Sequence, residues 1–183
     1  YTRQGADERL YAKYKAIAAG PAATTLNAAR QKALAHWLRD FVLSGAELQG
    51  EAKTRYAQIQ DELARLSQQF SEHVLDATDG FSLVVGADRL AGVPADVLSS
   101  TKTDEGHKLT LHMPVYLPVM QYADDRALRR QLYTAYVTRA CETGPAERDN
   151  TGLMAHLPPL PPEEAKLLGH APYAEASPVP KMA

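Results

Sequence analysis

The sequence is short of most residues that announce a reaction or a special environment. It holds one cysteine, Cys141, which excludes an internal disulfide framework and suits a reducing compartment. No apolar run reaches the roughly 18 residues of a membrane-spanning helix, so no membrane partner is expected. An excess of one charge is missing too. Lys and Arg number 20 against 22 Asp and Glu, and a net charge of −2 gives no electrostatic case for nucleic acid or an anionic surface. The start, Tyr1-Thr2-Arg3-Gln4-Gly5-Ala6-Asp7-Glu8, is polar and lacks the basic-then-apolar order of a signal peptide. It also lacks Met, as expected of a chain that begins inside a longer one.

Catalytic patterns are equally scarce. Among His36, His73, His107, His112, His156 and His170, none is followed by Glu and by a second His four residues on, the spacing that puts two zinc ligands on one helix face. There is no glycine-rich phosphate loop and no Gly-x-Ser-x-Gly elbow. His36 and Asp40 stand one helical turn apart, but two ligands do not close a metal site, and a structural hydrogen bond beside the apolar stripe is the preferred reading. Glu72, His73 and Asp76 resemble the carboxylate sets of helical-bundle metal sites, which need matching ligands from a facing helix. A solvated acidic patch beside a partly buried His73 is preferred there. A zinc site made of His36, Asp40, Glu72 and His73 is the least favoured reading. Cys141 follows Arg139 closely enough for a cation to activate it, yet no His is placed to pair with it. Tyr116, Tyr122, Tyr133, Tyr136 and Arg139 form an aromatic group suited either to a peptide cleft or to packing at a domain surface with satisfied hydroxyls. No catalytic, cofactor-binding or metal residue is assigned.

What is present is helical periodicity. Hydrophobic residues make up 45% and charged ones 23%, an ordinary globular balance. Leu10, Tyr14 and Ile17 predict a helix over 6–19, stopped by Gly20-Pro21. Leu34, Trp37, Leu38, Phe41 and Val42 form a broad stripe on a second helix, with Asn27 as N-cap and Gly45 as C-terminal stop. Tyr56, Ile59, Leu63, Leu66 and Phe70 run along a long helix over 51–76, and the second and third helices are expected to form an antiparallel hairpin. Residues 81–85 and 108–112 have strand character and predict a two-stranded antiparallel pair. Between them lie a short helix over 93–98 and a polar loop over 99–106. Helix returns after Pro114, notably over 125–140, and again over 163–168 before Gly169. The fold class is therefore mainly α, with helical hairpins and a small β insertion. The chain reads as one segment, 1–183, with a helical hairpin at 6–78, the β insertion at 79–113 and helices at 114–183.

Several ordered stretches carry a resemblance. These are Leu38-Arg39-Asp40-Phe41-Val42-Leu43-Ser44-Gly45, Val74-Leu75-Asp76-Ala77-Thr78, Tyr116-Leu117-Pro118-Val119-Met120-Gln121-Tyr122 and Leu132-Tyr133-Thr134-Ala135-Tyr136-Val137-Thr138-Arg139-Ala140. Together they resemble the thimet-oligopeptidase family of zinc metallopeptidases over nearly the whole chain. The resemblance implies a larger, cytoplasmic helical clamshell that hydrolyses short unstructured peptides, cleaved signal peptides among them. It implies zinc in the full-length enzyme, held by a His-Glu-x-x-His helix and a further glutamate beyond Ala183. This chain then supplies scaffold and channel wall, holds no zinc and is inactive alone. Its partners are the remaining parts of the same protein and, through exposed stripes containing Trp37 and Phe70 or Tyr133 and Tyr136, a second copy. A stand-alone helical interaction module is the rival reading. One departure stands out: the family pattern implies a continuous helix over 151–170, where this chain has Pro158, Pro159, Pro161 and Pro162. Two prolines inside a helix would cost about 6 kcal/mol, so a non-helical stretch, a degenerate gene or an imperfect sequence would each account for them. Pro178 also replaces an apolar residue that the family pattern implies.

Overall fold

A computed structural model describes Gly5 and residues 7–181, and it is mainly helical, as the periodicity predicts. Two compact units divide the chain. Residues to Arg65 and from His156 form the first, and Leu66–Ala155 form the second.

The first unit is built on aromatic packing. Helix α1 (Glu8–Ala19) starts at Asp7, whose carboxylate accepts from the Arg9 and Leu10 amides. A 3-10 turn over Pro21–Thr25 follows, and then α2 (Ala28–Leu43), capped as predicted by Asn27 accepting from the Arg30 amide. The α2 stripe faces α1: Phe41 lies 5.6 Å from Tyr11 and 5.5 Å from Tyr14, centre to centre. Such tilted pairs add about 0.5–1.5 kcal/mol each beyond burial. Trp37 is less buried than its place in the stripe suggests. It stays 49% exposed at the edge of the cluster, with Tyr14 as neighbour at 6.0 Å. Helix α3 (Gly50–Asp79) begins here, and its Tyr56 and Ile59 are buried. Gly45 makes the turn into it with φ at +80°, and a Cβ there would stand 3.0 Å from the Tyr56 ring. The positive φ favours glycine, and a Cβ would press on the ring.

The proline cluster has a simple outcome. Helix α7 (Thr151–His156) ends before it, and α8 (Leu160–Leu167) begins inside it, with Pro161 and Pro162 in the first turn. First-turn amides have no intrahelical partner, so the missing donors cost little there. The continuous helix implied for 151–170 is thus replaced by two helices, and α8 starts three residues before the predicted 163. A short α9 (Tyr173–Ala176) follows, with Pro178 in the turn after it.

The second unit pairs a sheet with helices. Strands β1 (Leu83–Val85), β2 (Lys102–Thr103) and β3 (Gly106–Leu109) lie in the order β1-β3-β2, all antiparallel. The expected pair is present, with Leu83 opposite Leu109. A third strand sits in the stretch expected to be polar loop, because β2 turns straight back onto β3, with Thr103 opposite Gly106. Helix α4 (Ala95–Thr101) fills the connection. Helices α5 (Met113–Tyr122) and α6 (Arg126–Val137) then bury Tyr116, Val119, Leu128 and Leu132 against Val85, Leu90, Val97 and Leu109. Pro114 occupies the first turn of α5, whereas Pro118 sits in its interior and removes the bond to the Pro114 carbonyl. Asp125 caps α6 by accepting from the Leu128 amide, and its other oxygen takes Arg89 Nε at 2.7 Å. Among the described residues no helix is long and apolar enough to cross a membrane.

Candidate functional site

The candidate ligands of the sequence do not gather. Leu34 and Leu38 point to the core side of α2, and His36 lies two residues from each. At about 100° per residue it falls on the opposite, solvent face. It is exposed, rather than hydrogen-bonded beside the stripe. Asp40 is exposed and accepts from its neighbour Arg39 at 2.8 and 2.7 Å. On α3, Glu72 accepts from Gln68 at 2.8 Å, and Asp76 is exposed. No group of three or more His, Cys, Asp or Glu among the described residues is placed to hold a metal. The described residues do not fit a zinc site.

His73 instead belongs to a polar knot. The α3 segment presents its partly buried Nδ1 to Asn150 Oδ1 at 2.8 Å, and the Asn150 amide donates to the Phe70 carbonyl at 3.1 Å. An amide oxygen only accepts, so Nδ1 carries the proton in this pairing. Asn150 is 2% exposed and its backbone N–H donates to the Ala140 carbonyl at 3.0 Å. The loop 141–149 is therefore closed at its base and fastened to α3. Arg148 adds a bond to the Asp76 carbonyl at 3.0 Å. Next to Asn150, Asp149 accepts from the Thr151 hydroxyl and amide, which hold its carboxyl below the usual range.

A second constellation joins part of the aromatic group. Arg139 lies over the Tyr136 ring, 3.7 Å from its centre, and donates through Nε to the Tyr136 carbonyl at 2.8 Å. Its Nη1 donates to Thr78 Oγ1 at 2.7 Å, and Thr78 passes its own proton to the Val74 carbonyl. Tyr136 in turn stacks on Tyr116 at 4.2 Å and 14°. Burial, followed by the neighbouring Tyr136 and Tyr133, raises the Tyr116 hydroxyl above its ordinary pKa. Tyr122 and Tyr133 are left exposed. Arg139 is thus committed to Thr78 and Tyr136 rather than to Cys141, whose Sγ has Thr143 Oγ1 at 3.0 Å. What this arrangement does chemically is hold: a guanidinium locked between a ring, a carbonyl and a hydroxyl is a strut.

The first unit contains two clusters that sequence reading missed. Tyr11 donates to Glu47 Oε1 at 2.5 Å, and Lys15 joins the same oxygen at 3.1 Å. Tyr11 first and Lys15 second hold the Glu47 carboxyl low. Around Tyr56, Arg55 grips Glu163 through two bonds of 2.6 and 2.7 Å, and the Tyr56 hydroxyl meets the Leu43 carbonyl and Glu164. Arg55 and Glu163 are 108 positions apart, and nothing in either local pattern marks the pairing.

Comparison with known proteins gives these struts a setting. No family model matches the chain. It is 43% identical over 98% of its length to oligopeptidase A of Salmonella typhimurium, and matches oligopeptidase A of Escherichia coli to the same extent. The probable cytosolic oligopeptidase A of Arabidopsis thaliana is 37% identical over 99% of the chain. Such likeness runs along nearly all of the sequence. The chain belongs to the oligopeptidase A family, and it spans about 28% of the length of the first two relatives.

Proposed function

We propose that the chain is scaffold of a zinc-dependent oligopeptidase that hydrolyses short, unstructured peptides, and that it supplies channel wall rather than catalytic groups. The observation that carries this reading is the 43% identity to oligopeptidase A over 98% of the chain, together with clusters built to brace helices. Zinc and the reaction belong, on this proposal, to parts of the family protein outside this sequence. The lone Cys141 supports a reducing, cytoplasmic setting. The partners are the remaining parts of the same protein, short peptides through the whole enzyme, and a second copy of this chain. Self-association would run through the stripes containing Trp37 and Phe70 or Tyr133 and Tyr136, of which Trp37 and Tyr133 are about half exposed.

The test is zinc content and cleavage of a quenched short peptide by this chain alone. The expected result is no stoichiometric zinc and no chelator-sensitive cleavage. Bound zinc with activity would overturn the proposal. A strictly monomeric chain that binds no hydrophobic dye would remove the self-association part and favour the rival, a stand-alone helical module.

A further inference from the structure

Tyr116 and Tyr136 stack at 4.2 Å where α5 and α6 meet, and residues 123–125 turn one helix back along the other. Counted from this contact at about 100° per residue, Met113 and Leu117 turn roughly 60° and 100° around α5. Tyr133 and Val137 turn by the same angles around α6. Because the helices run in opposite senses, equal turns fall on one side of the pair. The other side carries Val119, Leu128 and Leu132, which are buried in the core. Met113, Leu117, Tyr133 and Val137 are each about half exposed, so an apolar face lies uncovered beside the tyrosine stack.

Charge decides what suits this face. Arg126 and Arg130 turn about 80° and 120° around α6, onto the same side, and both are exposed. Neither is in an ion pair among the described residues. The acids next to them are engaged elsewhere: Asp125 takes Arg89 at 2.7 Å, and the Asp124 carboxylate lies beside Gly92. Their neighbours differ, since Arg129 donates to the Ala123 carbonyl and Arg139 to Thr78. The dipole of α6 disfavours a cation at its first residue, Arg126, so the helix itself does not call for one. Arg126 and Val137 stand about 16 Å apart along the axis at 1.5 Å per residue. That is the span of roughly five extended residues.

We propose that the α5–α6 face docks the C-terminal end of a short peptide, with apolar side chains on Leu117, Tyr133 and Val137 and the terminal carboxylate at Arg126 and Arg130. This rests on the reading of the chain as channel wall, and names the part of the wall that holds peptide. Every short peptide ends in a carboxylate whatever its sequence, so the two arginines are an anchor that ignores sequence. A second copy suits the face less. In a two-fold pair the arginines would meet either each other or the Met113 end. At that end Asp79 is already paired with His112 at 3.2 Å. Self-association is thereby left to the Trp37 stripe.

The experiment follows the fluorescence anisotropy of a dansylated Ala-Leu-Ala-Phe-Leu peptide titrated with the whole chain, once with a free C-terminal carboxylate and once amidated. The free acid should bind saturably and roughly fivefold more tightly than the amide, the scale of one or two exposed charge pairs. Arg126→Gln combined with Arg130→Gln should remove that preference, and so should about 0.5 M salt. Leu117→Ser should weaken both peptides alike. All three side chains are exposed, so these variants keep the fold. Equal binding of the two peptides, no saturable binding below about 1 mM, or a preference that survives the double variant would overturn the proposal. So would a dimer that Leu117→Ser dissociates without changing peptide binding, which would give the face to a second copy. The zinc and cleavage test is separate: bound zinc with activity overturns the scaffold reading and leaves the comparison of the two peptides standing.

Discussion

Asn150 and His73 meet side chain to side chain at 2.8 Å although 77 positions separate them, and the same Asn150 amide holds the Phe70 carbonyl. One buried side chain thereby fastens the start of α7 to the middle of α3. Asn150→Ala leaves the ring nitrogen, the carbonyl and the space of the amide unfilled. Each orphaned group costs about 1–3 kcal/mol, so a loss of roughly 3 kcal/mol is expected in urea unfolding. Asn150→Ala stability within experimental error of wild type would refute the knot.

Arg139 combines a ring face, a carbonyl and a hydroxyl, which only a planar guanidinium serves together. Arg139→Lys keeps the charge but loses the fork and most of the stacking. A destabilisation of about 1–2 kcal/mol is expected, with weakened near-ultraviolet dichroism from the Tyr116–Tyr136 stack. Arg139→Lys with unchanged stability and an unchanged tyrosine signal would show the strut to be idle.

Gly45→Ala meets two obstacles at once, the positive φ and the Tyr56 ring at 3.0 Å. The backbone conformation alone costs about 1–2 kcal/mol for a residue with a Cβ. The midpoint of thermal unfolding should drop accordingly, and an equally stable variant would contradict the geometry of this turn.

Asp125 is held below its ordinary pKa of 3.8 by the Leu128 amide first and by Arg89 second. A depressed folded pKa contributes stability above the unfolded value and loses it as pH falls through the folded one. Asp125→Asn retains a capping oxygen but cannot titrate or pair with Arg89. Its stability should therefore decline less than that of the wild type below about pH 4. Parallel acid profiles for the two proteins would count against the assignment.

Pro161→Ala should change stability by less than about 1 kcal/mol, because the ring occupies a first-turn position where no donor is needed. A loss of several kcal/mol on equilibrium unfolding would mean that the prolines do more than start α8.

Local pattern carried far in this sequence. Period and caps determined the helices around Phe41 and Ile59, the N-cap at Asn27, the stop at Gly45, and the pairing of the stretches holding Leu83 and Leu109. These follow from the sequence because each rests on neighbours within one turn or one strand. The ordered motifs likewise carried the family. The third strand escaped because Lys102 and Thr103 are too few to show a period. The proline cluster breaks the helical pattern as the sequence predicts, and α8 starts three residues early because a first turn accommodates Pro161 and Pro162.

The tertiary structure alone decided which side chains meet. His36 and Asp40 share a helix and form no ligand set, while Arg55 finds Glu163 and Asn150 finds His73 across long stretches of chain. Trp37 belongs to the stripe by spacing, yet it lies half exposed at the edge of the Tyr14–Phe41 cluster. Spacing along a helix says which residues share a face. Only the path of the chain says what that face is set against, as when it sets Glu163 beside Arg55.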